Sequence, residues 1–87
     1  MATAETIKIT LKLFAIYQET LGEAEQMMTL PVGATAGDVR DRLIQAHPSL
    51  AKWKDLTRFG INLQFAEENT SLSDGDELVL IPPVSGG

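Results

Sequence analysis

The sequence predicts an α+β domain, a mixed sheet carrying one main helix on a single face, and three observations lead there. Residues Ile7 to Leu13 alternate apolar and polar side chains, the period of a half-buried strand. Apolar residues recur at helical spacing over a long stretch only from Ala36 to Ala46, so one helix must cover the sheet. Leu78-Val79-Leu80-Ile81 is apolar without alternation, as expected of a central strand covered on both faces. At 87 residues, 44% apolar and 22% charged, the chain has the length for one core and an ordinary globular composition.

In the first strand Ile7, Ile9, Leu11 and Leu13 make one face, Lys8, Thr10 and Lys12 the other, and Phe14 then extends the polar face with a large ring. Ala15 to Leu21 can make about two helical turns before Gly22, a residue suited to the left-handed position that ends a helix. A second strand fits Glu25 to Leu30, closed by Pro31 and Gly33. Thr35-Ala36-Gly37-Asp38 has the form of an N-cap followed by a carboxylate in the first turn. From there Ala36, Val39, Leu43 and Ala46 form the packing stripe, with Arg40, Asp41, Arg42 and Gln45 around the rest of the cylinder. Arg40 and Arg42 read as a solvated face.

Pro48 ends this helix by pushing His47 out of the α region. Leu50, Trp53 and Leu56 are expected to pin the following loop to the core. Phe59 to Phe65 reads as a strand or tight hairpin around Asn62, a residue that tolerates turn geometry. Leu72 is an isolated core anchor, Ser73-Asp74-Gly75-Asp76 a turn, and Glu77 to Ile81 the last strand. Strand, strand, helix, one or two short strands and a final strand is the order of the β-grasp, whose first and last strands pair in parallel at the centre. Residues 1–82 form this domain and 83–87 an extended tail.

A net charge of −5, with seven Lys and Arg that do not cluster, repels phosphate backbones and anionic lipid, so neither nucleic acid nor membrane is an expected partner. A basic groove on another protein would attract the chain. No apolar run approaches the roughly 20 residues of a membrane span, and Met1-Ala2-Thr3-Ala4-Glu5 lacks the order of a signal peptide, so a cytoplasmic location is expected. With no cysteine, thiolate nucleophiles and thiolate metal sites are excluded.

The chemistry concentrates at the end, Ile81-Pro82-Pro83-Val84-Ser85-Gly86-Gly87. Two prolines stop the strand and favour an extended exit. The five residues from Pro83 reach at most roughly 16–18 Å, enough to enter a partner's active site. Gly86 and Gly87 carry no Cβ and can thread a narrow channel, delivering the α-carboxylate of Gly87. A carboxylate ionised at neutral pH is a poor electrophile, so it needs activation, and adenylation by ATP supplies the leaving group. Taken alone, a terminal Gly-Gly is more often the mark of a frayed end or a cloning remnant. Here it follows directly on an apolar strand and a proline brake.

Leu72-Ser73-Asp74-Gly75-Asp76-Glu77-Leu78, followed by Ile81-Pro82-Pro83-Val84-Ser85-Gly86-Gly87, resembles the closing signature of the molybdopterin synthase small subunit (MoaD) family of ubiquitin-like sulfur carriers. The opening Ile7 to Leu21, the helix from Thr35 and Ile61-Asn62 align in order. Thiamine-pathway carriers also end in Gly-Gly, but those chains are usually shorter and lack the Pro-Pro-Val run. The resemblance implies that Gly87 is adenylated by an adenylyltransferase of the ubiquitin-activating type and converted to a thiocarboxylate. It then donates sulfur to cyclic pyranopterin monophosphate inside the large synthase subunit. It also implies a heterotetramer, catalytic residues on the large subunit, no permanently bound cofactor or metal, and ATP used by the activating partner. Phe14, Phe65 and Ile81 match positions at which the family presents apolar side chains to partners; the same residues could instead fill a second core of the domain. A ubiquitin-like modifier joined to other proteins through Gly87, and an inert interaction domain, are the competing readings.

Other features read as structure. His47 at a helix end is a dipole partner, Asp74-Gly75-Asp76 with Glu67 and Glu68 lacks the ligand order of a calcium loop, and Met27, Met28 and Trp53 are packing residues.

Overall fold

A computed structural model of the chain describes residues 5–83. The elements are β1 (Thr6–Leu13), α1 (Ile16–Leu21), β2 (Glu25–Pro31), α2 (Ala36–Ala46), a run of 3₁₀ turns (Pro48–Leu56), β3 (Arg58–Ile61), β4 (Gln64–Ala66) and β5 (Glu77–Ile81). The sheet order is β2-β1-β5-β3-β4. β1 pairs antiparallel with β2 and parallel with β5, and β3 pairs antiparallel with both β5 and β4. This is the β-grasp, with its first and last strands joined at the centre.

Local chemistry sets the boundaries. Gly22 ends α1 at φ 82° and returns its N–H to the Gln18 carbonyl. Thr35 caps α2, its hydroxyl accepting from the Asp38 N–H at 3.2 Å while the Asp38 carboxylate accepts from the Thr35 N–H at 3.0 Å. Asn62 and Leu63 both have positive φ, 51° and 71°, as the two-residue type I′ hairpin between β3 and β4 requires. Asp74 accepts from the Lys8 N–H and Asp76 from the Ser73 N–H, each at 2.8 Å. These carboxylates build the turn before β5.

Ile9, Leu11, Leu13, Leu78 and Leu80 face α2 and are fully buried with Val39, Tyr17 and Leu50. At about 1.5–3 kcal/mol per buried Leu or Ile, this layer outweighs any single cap or surface ion pair, typically about 1 kcal/mol or less.

Five expectations need correction. β5 does alternate: Leu78 and Leu80 are buried while Val79 and Ile81 are only half-buried, because one helix covers one face. Arg40 is not solvated but 6% exposed. Its Nη2 lies 2.9 Å from Glu68, its Nε 3.0 Å from Asp41, and its guanidinium 5.6 Å from the Phe59 ring centroid. Burial works against the charge, but the two carboxylates outweigh it and raise the Arg40 pKa. Ala46 and Leu56 are exposed, and Ile44 packs against the core instead. Met27 points outward and only takes a 3.4 Å contact from the Thr10 hydroxyl.

Candidate functional site

Strand register places alternate residues on the sheet face away from α2. One row across that outer face runs Glu25, Lys12, Val79, Gly60, Phe65, and the next brings Ile81 beside Arg58. The row changes character at its middle. On the β2 side Lys12 Nζ lies 3.0 Å from Glu25 and 3.9 Å from Glu77. The hydrogen bond to Glu25, then the charges of Glu25 and Glu77, raise the lysine pKa. On the β4 side Arg58 is the charged exception among side chains that are otherwise apolar and poorly covered. Phe14 is 51% exposed, Phe65 82% and Leu63 91%.

Two depressions meet at Ile81. Phe14, Ile16, Trp53, Ile81, Pro82 and Pro83 surround a cleft of ≈ 540 Å³. Gly60, Leu63, Gln64, Phe65, Val79 and Ile81 surround a recess of ≈ 190 Å³. Among the described residues no titratable side chain lines either one. An apolar lining without convergent polar groups suits a protein surface better than a small-molecule site.

The structure therefore brings Phe14, Phe65 and Ile81 onto one surface, Ile81 touching both depressions. The exposure of Phe14 and Phe65 excludes their filling a second core of this domain. Pro83, half-buried at the cleft, is the last described residue. The expectations for Val84, Ser85, Gly86 and Gly87 lie outside the described residues. His47 acts as the C-cap of α2, its N–H donating to the Leu43 carbonyl at 2.8 Å. Among the described residues no helix is long and apolar enough to cross a membrane. Sequence reasoning passed over Gly60, Leu63 and Val79. A leucine at the tip of a hairpin, where a turn residue belongs, was the available signal.

Residues 11–87 match the ThiS family model. The chain is 35% identical over 83 residues to the molybdopterin synthase sulfur carrier subunit of Chlamydomonas reinhardtii, covering 93% of this chain and 100% of that one. It resembles the crystal structure of small archaeal modifier protein 1 from Haloferax volcanii with a TM-score of 0.76 at 31% identity, over 90% of this chain and 99% of that one. A chain from the complex of subunits 1 and 2 of molybdopterin-converting factor from Helicobacter pylori 26695 shares the fold, with a TM-score of 0.60 at 23% identity, over 93% and 100% of the two chains. With a β-grasp sheet throughout and a family match that runs from β1 to Gly87, the chain belongs to the ThiS family.

Proposed function

We propose that this chain is the sulfur carrier subunit of a molybdopterin synthase, working through the carboxylate of Gly87. One observation carries the reading: β5, the central strand, ends at Ile81 inside the apolar surface. A protein that covers Phe14, Phe65 and Ile81 therefore stands where the chain leaves the domain. The end-to-end similarity to a sulfur carrier subunit supports it.

In the proposed cycle an adenylyltransferase of the ubiquitin-activating type binds the tail. A Gly87 carboxylate oxygen attacks the α-phosphorus of ATP, releasing pyrophosphate and leaving an acyl-adenylate. Hydrosulfide then attacks the acyl carbon, AMP departs with the bonding electron pair, and the terminus becomes a thiocarboxylate on loss of the proton. The large synthase subunit takes the loaded tail and transfers the sulfur to cyclic pyranopterin monophosphate. The domain contributes position and docking area, and the acids and bases belong to its partners. Assembly of two carriers with two large subunits in the cytoplasm completes the reading.

A second reading has its own support in the likeness to small archaeal modifier protein 1: the same activated terminus would be joined to lysines of other proteins. Intact mass spectrometry after incubation with ATP, an activating enzyme and a sulfur source separates the two. Exchange of one oxygen for sulfur, lost when Gly86-Gly87 is deleted, is expected for the carrier; covalent protein adducts without that exchange would favour the modifier.

A further inference from the structure

The β3–β4 hairpin carries two residues that folding alone does not favour. Leu63 occupies the second turn position at φ 71°, where glycine is the ordinary choice, and leaves its side chain 91% exposed. Gly60 stands in a strand without any backbone need for glycine, since its φ is not in the left-handed region. A Cβ there would meet ordinary contacts, 3.7 Å from the Gln64 carbonyl oxygen and 3.8 Å from Val79 Cβ. A β-branched residue would form the strand better. A glycine in mid-strand marks a place where something else approaches closely.

Both residues face the outer surface. The missing side chain of Gly60 opens the ≈ 190 Å³ recess, and Leu63, Phe65, Val79 and Ile81 wall it. We propose that this recess is a socket for one apolar side chain of the large synthase subunit, with Gly60 as its floor and Leu63 and Phe65 as its rim. The inference rests on the sulfur-carrier reading, which makes Gly87 the group delivered. The four residues after Pro83 span at most roughly 13–14 Å, so a protein holding Gly87 in its active site must lie against the face where β5 ends. The recess shares Ile81 with the cleft that Pro83 lines, which puts it within that contact. α2 is on the opposite face. A synthase keeps its carrier docked during sulfur transfer, and such a contact needs a desolvated apolar anchor.

The test uses the full chain, its large subunit and its activating enzyme. Gly60→Leu fills the socket from below, Gly60→Ala fills it in part, and Leu63→Gly removes a wall while relieving the turn. Calorimetric titration should show Gly60→Leu binding the large subunit about 30-fold or more weaker than the natural chain, with Gly60→Ala between them. Leu63→Gly should bind more weakly and yet melt at a higher temperature. Far-ultraviolet circular dichroism should show all three variants folded, and an affinity within about threefold of that of the natural chain counts as no change. Binding of Gly60→Leu and Leu63→Gly within that same margin would overturn the socket, and Leu63→Gly keeps the test decisive if Gly60→Leu fails to fold. A natural chain that takes up sulfur but does not bind the large subunit would overturn the occupant. A natural chain that takes up no sulfur would overturn the carrier reading beneath it.

Discussion

At Gly37 the first turn of α2 passes so close to the segment after β4 that a Cβ would sit 2.9 Å from the Glu68 carbonyl oxygen. The Gly37 N–H donates to that same oxygen at 2.8 Å, so neither partner can retreat without losing the bond. Gly37→Ala should cost about 1–3 kcal/mol by overpacking, seen as a lower urea midpoint with an unchanged slope. Gly60→Ala, with room for its methyl, should show no such loss. Single residues were legible where their partners are close in sequence. Thr35 and Asp38 announced their reciprocal cap because both halves lie within one turn. Arg40 was misread because Phe59 and Glu68, which bury and neutralise it, come from strands and loops that helix periodicity does not report.

Between elements, Tyr17 ties α1 to the run of 3₁₀ turns. Its hydroxyl meets Thr57 Oγ1, and Thr57 donates onward to the Trp53 carbonyl at 2.8 Å. Burial pushes the Tyr17 phenol above its ordinary value of 10.0, with the Thr57 hydrogen bond and the Arg40 charge holding it back in part. A raised folded-state pKa means that the folded chain holds this proton more tightly than the unfolded chain does. Its contribution is therefore complete below pH 10.0 and lost as pH climbs through the raised value. Tyr17 is the sole tyrosine, so ultraviolet tyrosinate absorbance should rise together with alkaline unfolding. Tyr17→Phe should flatten that alkaline decline while costing about 1 kcal/mol at neutral pH. The order of the strands and of both α-helices was legible, including the parallel pairing of the outermost strands in sequence, but the 3₁₀ turns of Pro48–Leu56 were read as a loop. The apolar run of β5 had a different cause from the one inferred: its second side is a surface, not a core. The β3–β4 hairpin stayed blurred because its turn, Asn62-Leu63, lacks the glycine that normally marks one.

Across the whole molecule, charge and apolar contact occupy different places. The chain carries −5, while among the described residues no titratable side chain lines either depression that meets at Ile81. Net charge governs approach and the apolar surface governs residence. Stopped-flow measurements against a basic large subunit should show an association rate that falls with added salt and a dissociation rate that barely changes. Phe65→Ser should do the reverse, raising dissociation about tenfold or more without lowering the melting temperature, since an 82% exposed ring lends the domain little stability. That Phe14, Phe65 and Ile81 share a face follows from strand alternation, but that the face is bare follows only from counting layers: one helix covers one side.

Among the described residues β5 is the last of five strands along the chain, yet it sits in the middle of the sheet, joining the β2-β1 pair to the β3-β4 pair. During synthesis the earlier strands can form only two separate two-stranded units, which are marginal in water. Closure waits for a contact between the two ends of the domain, the slowest kind to form. A product of premature termination, or of proteolysis before Glu77, cannot settle into a folded body that merely lacks its working end. Such a fragment is expected to stay unfolded rather than persist as a stable decoy competing for the partners of the finished chain.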